Sequence, residues 1–281
     1  MEPIKLAVDR ARRGRSGPAE PPESMARPRV ASAESIARRT QSVDDYNGSG
    51  FQIRETELNA GHLEAHRIIS HNVADPRSKS FDILRTQILQ IMDQKRWRCI
   101  GVTSPTQGCG KTVMAFNLAF SIARQEGRSV LLVDLDLQRP QVANYLGIAC
   151  QRGMVGVLEG RTTPREAIIS AYLGDYQCAV LPAEAPTLHS SELIASRNTR
   201  TILEDIKAQS GSRIAVLDLP PTLSGDEVIS IAPLIDCVLL VAAVGRSTQH
   251  EVKECMRLLQ STEIARIVLN KSSEATVDQY Y

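Results

Sequence analysis

The residues best placed to do chemistry begin at Ser104, where Ser-Pro-Thr-Gln-Gly-Cys-Gly-Lys-Thr runs to Thr112. An apolar run precedes this stretch and a helical pattern follows it, the setting that a phosphate-binding loop requires. Gly108 and Gly110 let backbone N–H groups close on phosphate oxygens, and the N-terminus of the next helix adds its positive dipole end. On this pattern Lys111 reaches the β- and γ-phosphates, and the Thr112 hydroxyl ligates Mg²⁺. The candidate ATP contacts are Thr106, Gln107, Gly108, Cys109, Gly110, Lys111, Thr112 and Val113. Pro105 stands where the strict pattern G-x-x-x-x-G-K-[ST] has its first glycine, so the loop is a deviant one.

Asp134 and Asp136 close the apolar run Val-Leu-Leu-Val that starts at Val130. In a parallel strand buried on both faces, charge belongs at the exposed carboxyl end. Residues two apart on a strand share a side, so both carboxylates are expected to face the phosphate loop. Asp218 closes another such run, the position of a Walker B carboxylate, and Thr112, Asp136 and Asp218 form the candidate Mg²⁺ set. Asn270 and Lys271 end the last apolar run; the Asn270 amide either reads the adenine edge or caps the chain locally.

The elements that must position these groups follow from periodicity. From Arg98 onward, short β-rich runs (RCIGVTS, SVLLVDLDL, QCAVLPA, RIAVLDL, CVLLVAAV, IARIVLNKS) alternate with helical stretches. The expectation is an α/β fold with a doubly wound, mostly parallel sheet of at least six strands and a ligand site at their carboxyl ends. Residues 76 to 96 read as a helix with Phe81, Leu84, Ile88 and Met92 on one face. Residues 1 to 60 read as a mostly disordered tail, because the first 50 carry five prolines, many arginines and small polar residues. Within the tail, Ile4, Ala7, Val8 and Ala11 fall at helical spacing. The nucleotide-binding domain is placed at 61–276 and a flexible tyrosine-bearing tail at 277–281.

Lysine plus arginine number 33 against 32 acids, which argues against a nucleic-acid partner. The longest apolar stretch, around Cys237 to Val244, falls far short of the ~20 residues that span a bilayer. The N-terminus mixes acids and bases without an apolar core, so no secretory signal and a cytoplasmic location are expected. Cys99, Cys109, Cys150, Cys178, Cys237 and Cys255 are scattered with no CxxC, which fits reduced thiols, all but Cys109 assigned to core packing.

The loop, the double-aspartate strand and the Asp218 strand, in this order, resemble the deviant Walker family of Min/Par positioning ATPases and bacterial tyrosine kinases. Further matches are similar to the second group, of CpsD/CapB type: SFDILRTQIL, LLVDLDLQRP, Gly153 to Gly160, Leu181 to Ser196, DLPP and VLNK. Min/Par loops carry a signature lysine where this chain reads Thr106-Gln107-Gly108. The resemblance implies an ATP- and Mg²⁺-dependent tyrosine autokinase of exopolysaccharide production, with Lys111, Asp134 and Asp136 as catalytic residues. Asp134 would orient or deprotonate the tyrosine hydroxyl, Asp136 and Asp218 would shape the metal site, and Tyr280 and Tyr281 would be the acceptors. It also implies ring-like or dimeric self-association, activation by a membrane polysaccharide co-polymerase and hence a peripheral place at the inner membrane. The alternatives are a Min/Par-like switch ATPase, or a nucleotide-binding scaffold without kinase activity.

Three departures stand out. Where the family has ExxRxxR to pair subunits, this chain has Lys79, Asp82 and Arg85, either an altered interface or a solvated Lys79–Asp82 pair. Cys109 replaces a common glutamate, as an oxidisable thiol or simply a small residue that fits. Gln138 replaces an arginine and removes a phosphate contact; the neighbouring Arg139 serves either phosphate neutralisation or the helix surface.

Overall fold

The computed structural model describes residues 53–208 and 213–272. The segment 1–52, with the helix expected in its first dozen residues, lies outside them, as do Tyr280 and Tyr281. In chain order come β1 (Arg54–Glu57), α1 (Ala60–Ala65), α2 (Ser78–Lys95), β2 (Cys99–Thr103), α3 (Lys111–Ala123) and β3 (Ser129–Asp134). Then follow α4 (Val142–Leu146), α5 (Met154–Leu158), α6 (Pro164–Ala167), β4 (Ile169–Leu173), β5 (Tyr176–Leu181), α7 (Ser190–Ile194) and α8 (Arg197–Ala208). The chain closes through β6 (Arg213–Asp218), α9 (Glu227–Ile231), β7 (Cys237–Ala243), α10 (Gln249–Leu258) and β8 (Glu263–Asn270).

The strands form one sheet in the order β1-β4-β5-β3-β6-β2-β7-β8. Every neighbouring pair is parallel except β4 and β5. Alternate residues of the central strands feed two cores, as a period of two demands. Leu131, Val133, Ala215 and Leu217 face one, with α5, α7 and α8; Val130, Leu132, Ile214 and Val216 face the other, with α2 and α3. The core clusters thus cover both faces of the sheet, which is why β2, β3, β6 and β7 read as unbroken apolar runs. The six strands read from the sequence are all present; β1 and β4 are additional. Arg54–Glu57 lies inside the stretch 1–60 assigned to the tail, yet it pairs with β4 from Arg54↔Ile169 to Glu57↔Tyr172, and Ile53 joins a core. Its polar sequence conceals it because it is an edge strand with exposed side chains.

Asn117, buried in the middle of α3, staples the 67–70 segment to the helix that carries the phosphate loop. Its Oδ1 accepts from Ile69 N at 2.8 Å and Ser70 N at 2.9 Å, and its Nδ2 donates to the carbonyls of Arg67 and Val113. Asn117→Ala leaves two buried donors unmatched, and a loss of about 2–4 kcal/mol is expected in urea unfolding. A loss within about 0.5 kcal/mol, the range of ordinary surface changes, would remove this stapling role.

Asp82 also turns inward. Its carboxylate accepts from Arg85 at 3.1 Å, Ser121 Oγ at 2.6 Å and Arg124 at 3.2 Å. The acid of the Lys79–Asp82–Arg85 frame therefore ties α2 to α3 in place of a pair with Lys79. Of the cysteines, Cys99, Cys178, Cys237 and Cys255 are buried as expected, Cys109 is buried as well, and Cys150 is only half-buried.

Candidate nucleotide site

The loop 104–110 joins β2 to α3 at the carboxyl edge of the sheet, beside the ends of β3 and β6. Gly108 and Gly110 take left-handed backbone angles, φ 78° and 92°. At Gly110 a Cβ would sit 2.4 Å from Asn270 Nδ2, so only glycine fits. The helix α3 begins at Lys111 without a capping side chain, leaving first-turn N–H groups to an outside acceptor.

Lys111 Nζ lies 2.7 Å from Asp136 Oδ2, 3.4 Å from Asp218 Oδ1 and 3.2 Å from Thr112 Oγ1. Asp134 and Asp218 are register partners on adjacent strands. One cation thus serves a cluster of carboxylates, and the electrostatics follow from that imbalance. Burial by itself would weaken the ammonium, but Asp218 and Asp136 outweigh it and raise the Lys111 pKa. Burial, then the Asp218 charge, push the Asp134 carboxyl well above the usual range. Burial likewise raises Asp218, with Lys111 only partly offsetting it, and Asp218 Oδ2 is a buried oxygen without a hydrogen-bond partner.

The two aspartates at the end of β3 take different hydrogen-bond partners. Asp136 lies beyond the strand and meets Lys111. Asp134, fully buried, accepts from the N–H groups of Asp136 at 3.3 Å, Gln141 at 3.2 Å and Val142 at 3.0 Å. Asp134 still feels the charges of Asp218, Lys111 and Asp136, so all three carboxylates belong to one cluster.

The other expected contacts divide. Thr106 and Gln107 lie on the loop, Gln107 Oε1 accepting from Arg139, which places Arg139 beside the loop. Thr112 is buried, and Val113 accepts from Asn117. Cys109 Sγ packs 3.3 Å from Ser247 Oγ, the environment of a small residue that fits. Asn270 Nδ2 donates to the Cys109 carbonyl at 2.8 Å and its Oδ1 accepts from Lys271 N, so the amide braces the loop. Lys271 Nζ adds a bond to the Gly108 carbonyl at 2.7 Å. Gln138 reaches away from the loop, donating to Glu227 and Ser190. Sequence reasoning missed Arg246, whose guanidinium lies 3.8 Å from where a Gly108 side chain would begin, and Ser247. Both follow β7 in a turn without a recognisable motif.

Among the described residues no group of three or more His, Cys, Asp or Glu forms a self-sufficient metal cage. Mg²⁺ is ordinarily held by one or two carboxylates together with substrate phosphates and water, so Asp218, with its unpartnered oxygen, Asp136 and the Thr112 hydroxyl suit that ion.

A glycine-turned loop running from a central parallel strand into an uncapped helix defines a P-loop nucleotide-binding protein. A sequence model described as the CobQ/CobB/MinD/ParA nucleotide binding domain matches residues 100–280, and the chain belongs to that family. EpsB of Ralstonia nicotianae is 27% identical over 244 residues, 82% of this chain and 32% of its own length. The tyrosine-protein kinase Etk of Escherichia coli K12 is 26% identical over 193 residues, 69% of this chain and 26% of its own length. This chain therefore corresponds to about a third or less of those relatives. Among solved structures, the kinase domain of Escherichia coli tyrosine kinase ETK matches with TM-score 0.65 at 25% identity, over 74% of this chain and 82% of that one. The chimerical protein CapA2B2 shares the fold, with TM-score 0.66 at 23% identity over 83% and 99% of the two chains.

Proposed function

We propose that this chain is an ATP- and Mg²⁺-dependent protein-tyrosine autokinase of exopolysaccharide production. The observation that carries the reading is Lys111 set between Asp136 and Asp218 at the amino end of α3, in a chain similar to tyrosine-protein kinase Etk. A second relative, the succinoglycan biosynthesis transport protein ExoP of Rhizobium meliloti, 26% identical over 75% of this chain, supports the polysaccharide context.

Phosphoryl transfer asks a protein mainly for positioning and charge. The loop N–H groups and Lys111 hold the phosphates, and Thr112, Asp136 and Asp218 hold Mg²⁺. Mg²⁺ held by these residues would supply positive charge where negative charge develops on the phosphoryl group. Asp134, its carboxyl made more basic by burial and oriented by three backbone N–H groups, orients or accepts the proton of the tyrosine hydroxyl. Arg139 and Arg246 flank the loop and add positive charge. Tyr280 and Tyr281 are the proposed acceptors. Self-association brings copies together, and a membrane polysaccharide co-polymerase activates them from the inner membrane; no helix among the described residues is long and apolar enough to cross one.

Intact mass and site-mapped phosphotyrosine after incubation with Mg-ATP test this reading. Phosphate on Tyr280 or Tyr281 is expected, and it is expected to vanish in Lys111→Met, Asp134→Asn and Tyr280→Phe/Tyr281→Phe. ATP hydrolysis without phosphotyrosine, even with the cytosolic segment of a co-polymerase added, would replace the kinase by a switch ATPase.

A further inference from the structure

Two consecutive peptide groups of the phosphate loop are held from outside by the residues that end β8. Lys271 Nζ donates to the Gly108 carbonyl at 2.7 Å, and Asn270 Nδ2 donates to the Cys109 carbonyl at 2.8 Å. In a trans peptide the C=O of one residue and the N–H of the next point in opposite directions. Drawing these two carbonyls toward β8 therefore turns the N–H groups of Cys109 and Gly110 away from it. Among the described residues neither N–H is spent on another protein group. Two donors thus stand together at the amino end of α3, the arrangement that receives phosphate oxygens.

The glycines alone do not keep that orientation. Gly108 and Gly110, at φ 78° and 92°, sit on either side of Cys109, and glycine takes either sign of φ at little cost, so the peptide planes between them are free to rotate. The backbone of Lys271 shows what holds them. Among the described residues three that are not glycine have positive φ: Arg67, Arg96 and Lys271. Arg96 stops α2, and Arg67 follows α1 and donates its N–H to the Glu64 carbonyl, both ordinary uses of this geometry at a helix end. Lys271, at φ 60°, follows a strand and stops no helix. Its turn lets its own N–H bond to Asn270 Oδ1 at 2.8 Å, which leaves Nδ2 for Cys109 while the lysine side chain reaches Gly108. Strain of this kind persists where the surrounding structure imposes it.

We propose that Lys271 is a positioning residue of the nucleotide site: its ammonium, together with the Asn270 amide, fixes the peptides between Gly108 and Gly110 with their N–H groups turned toward bound phosphate. The inference rests on that part of the proposed function in which the loop holds the phosphates of a nucleotide, and not on the identity of the phosphoryl acceptor. It gives the last strand a task in phosphate binding that neither the loop nor the aspartates perform.

Lys271→Gly separates this role from a structural one, because glycine keeps the left-handed turn and the N–H bonded to Asn270 while removing the ammonium. Isothermal titration of the full chain with Mg-ADP is expected to show about tenfold weaker binding for Lys271→Gly. Lys271→Arg, whose guanidinium can donate to the same carbonyl, is expected to stay within about twofold of the wild type. Adenosine, which carries no phosphate, is expected to bind the wild type and Lys271→Gly alike, and urea unfolding without nucleotide is expected to find the two equally stable. Equal Mg-ADP affinity of the wild type and Lys271→Gly overturns the assignment. A loss shared equally by adenosine also overturns it, placing the lysine on the base, and so does a loss that Lys271→Arg fails to recover or that comes with a matching drop in stability. Phosphotyrosine formation is read separately. Lys271-dependent binding of Mg-ADP without transfer keeps the positioning role and removes the kinase, while transfer by a chain whose Mg-ADP affinity ignores Lys271 keeps the kinase and removes the positioning role.

Discussion

Lys111→Met is expected to lower phosphoryl transfer by at least about a hundredfold, the scale of losing one preorganised charge at a reacting phosphate, and to destabilise the fold as well. Its ammonium is the cation between the buried carboxylates of Asp136 and Asp218. Removing one partner of a buried ion pair leaves uncompensated charge and costs about 3–5 kcal/mol. The pH dependence separates this cause from simple loss of packing. In the wild type the folded-state pKa of Lys111 is raised above 10.5, so its contribution is full below that value and constant across neutral pH. In the variant the stranded carboxyls can relieve themselves only by taking up protons. The stability deficit should therefore shrink from pH 7 toward pH 4, as read by urea unfolding at each pH. A deficit that stays constant with pH would assign the loss to packing.

Asp218→Asn should move activity and stability in opposite directions. Asp218 is buried at 1% exposure, pairs in register with Asp134 and leaves Oδ2 unpartnered. Its carboxyl pKa lies above the ordinary 3.8 because burial outweighs the attraction of Lys111. A raised carboxyl pKa contributes stability that is complete below 3.8 and is lost as pH rises through the folded value. The wild type carries that loss at neutral pH and the amide does not. We expect the variant to be more stable than wild type at pH 7, with a higher Tm, and the advantage to be gone near pH 4. Mg²⁺-dependent transfer should fall by about a hundredfold or more, since the carboxylate proposed to hold the metal is lost. Thermal unfolding between pH 3.5 and 7.5, beside a phosphotyrosine assay, checks both halves. A variant less stable than wild type at pH 7 would contradict the charge imbalance described for this site.

The sequence by itself determined the nucleotide-binding core. Continuous apolar runs over β2, β3, β6 and β7 can be buried only in a sheet covered on both faces, so their carboxyl ends, with Lys111, Asp136 and Asp218, had to share one edge. The strands β1 and β4 were not legible: RETE is a mostly exposed edge segment with no apolar face to conserve a period, and ISAYL is only five residues long. The tertiary structure alone decided which way the individual side chains were turned. The turn after β3 sends Asp136 to Lys111 and Asp134 to the backbone of Gln141 and Val142, and the arrival of β8 beside the loop gives the Asn270 amide to the Cys109 carbonyl. The physical reason is that local periodicity records how deeply a residue is buried and where an element ends. Which two side chains meet depends on strand order and crossovers, set by packing between segments far apart in the chain.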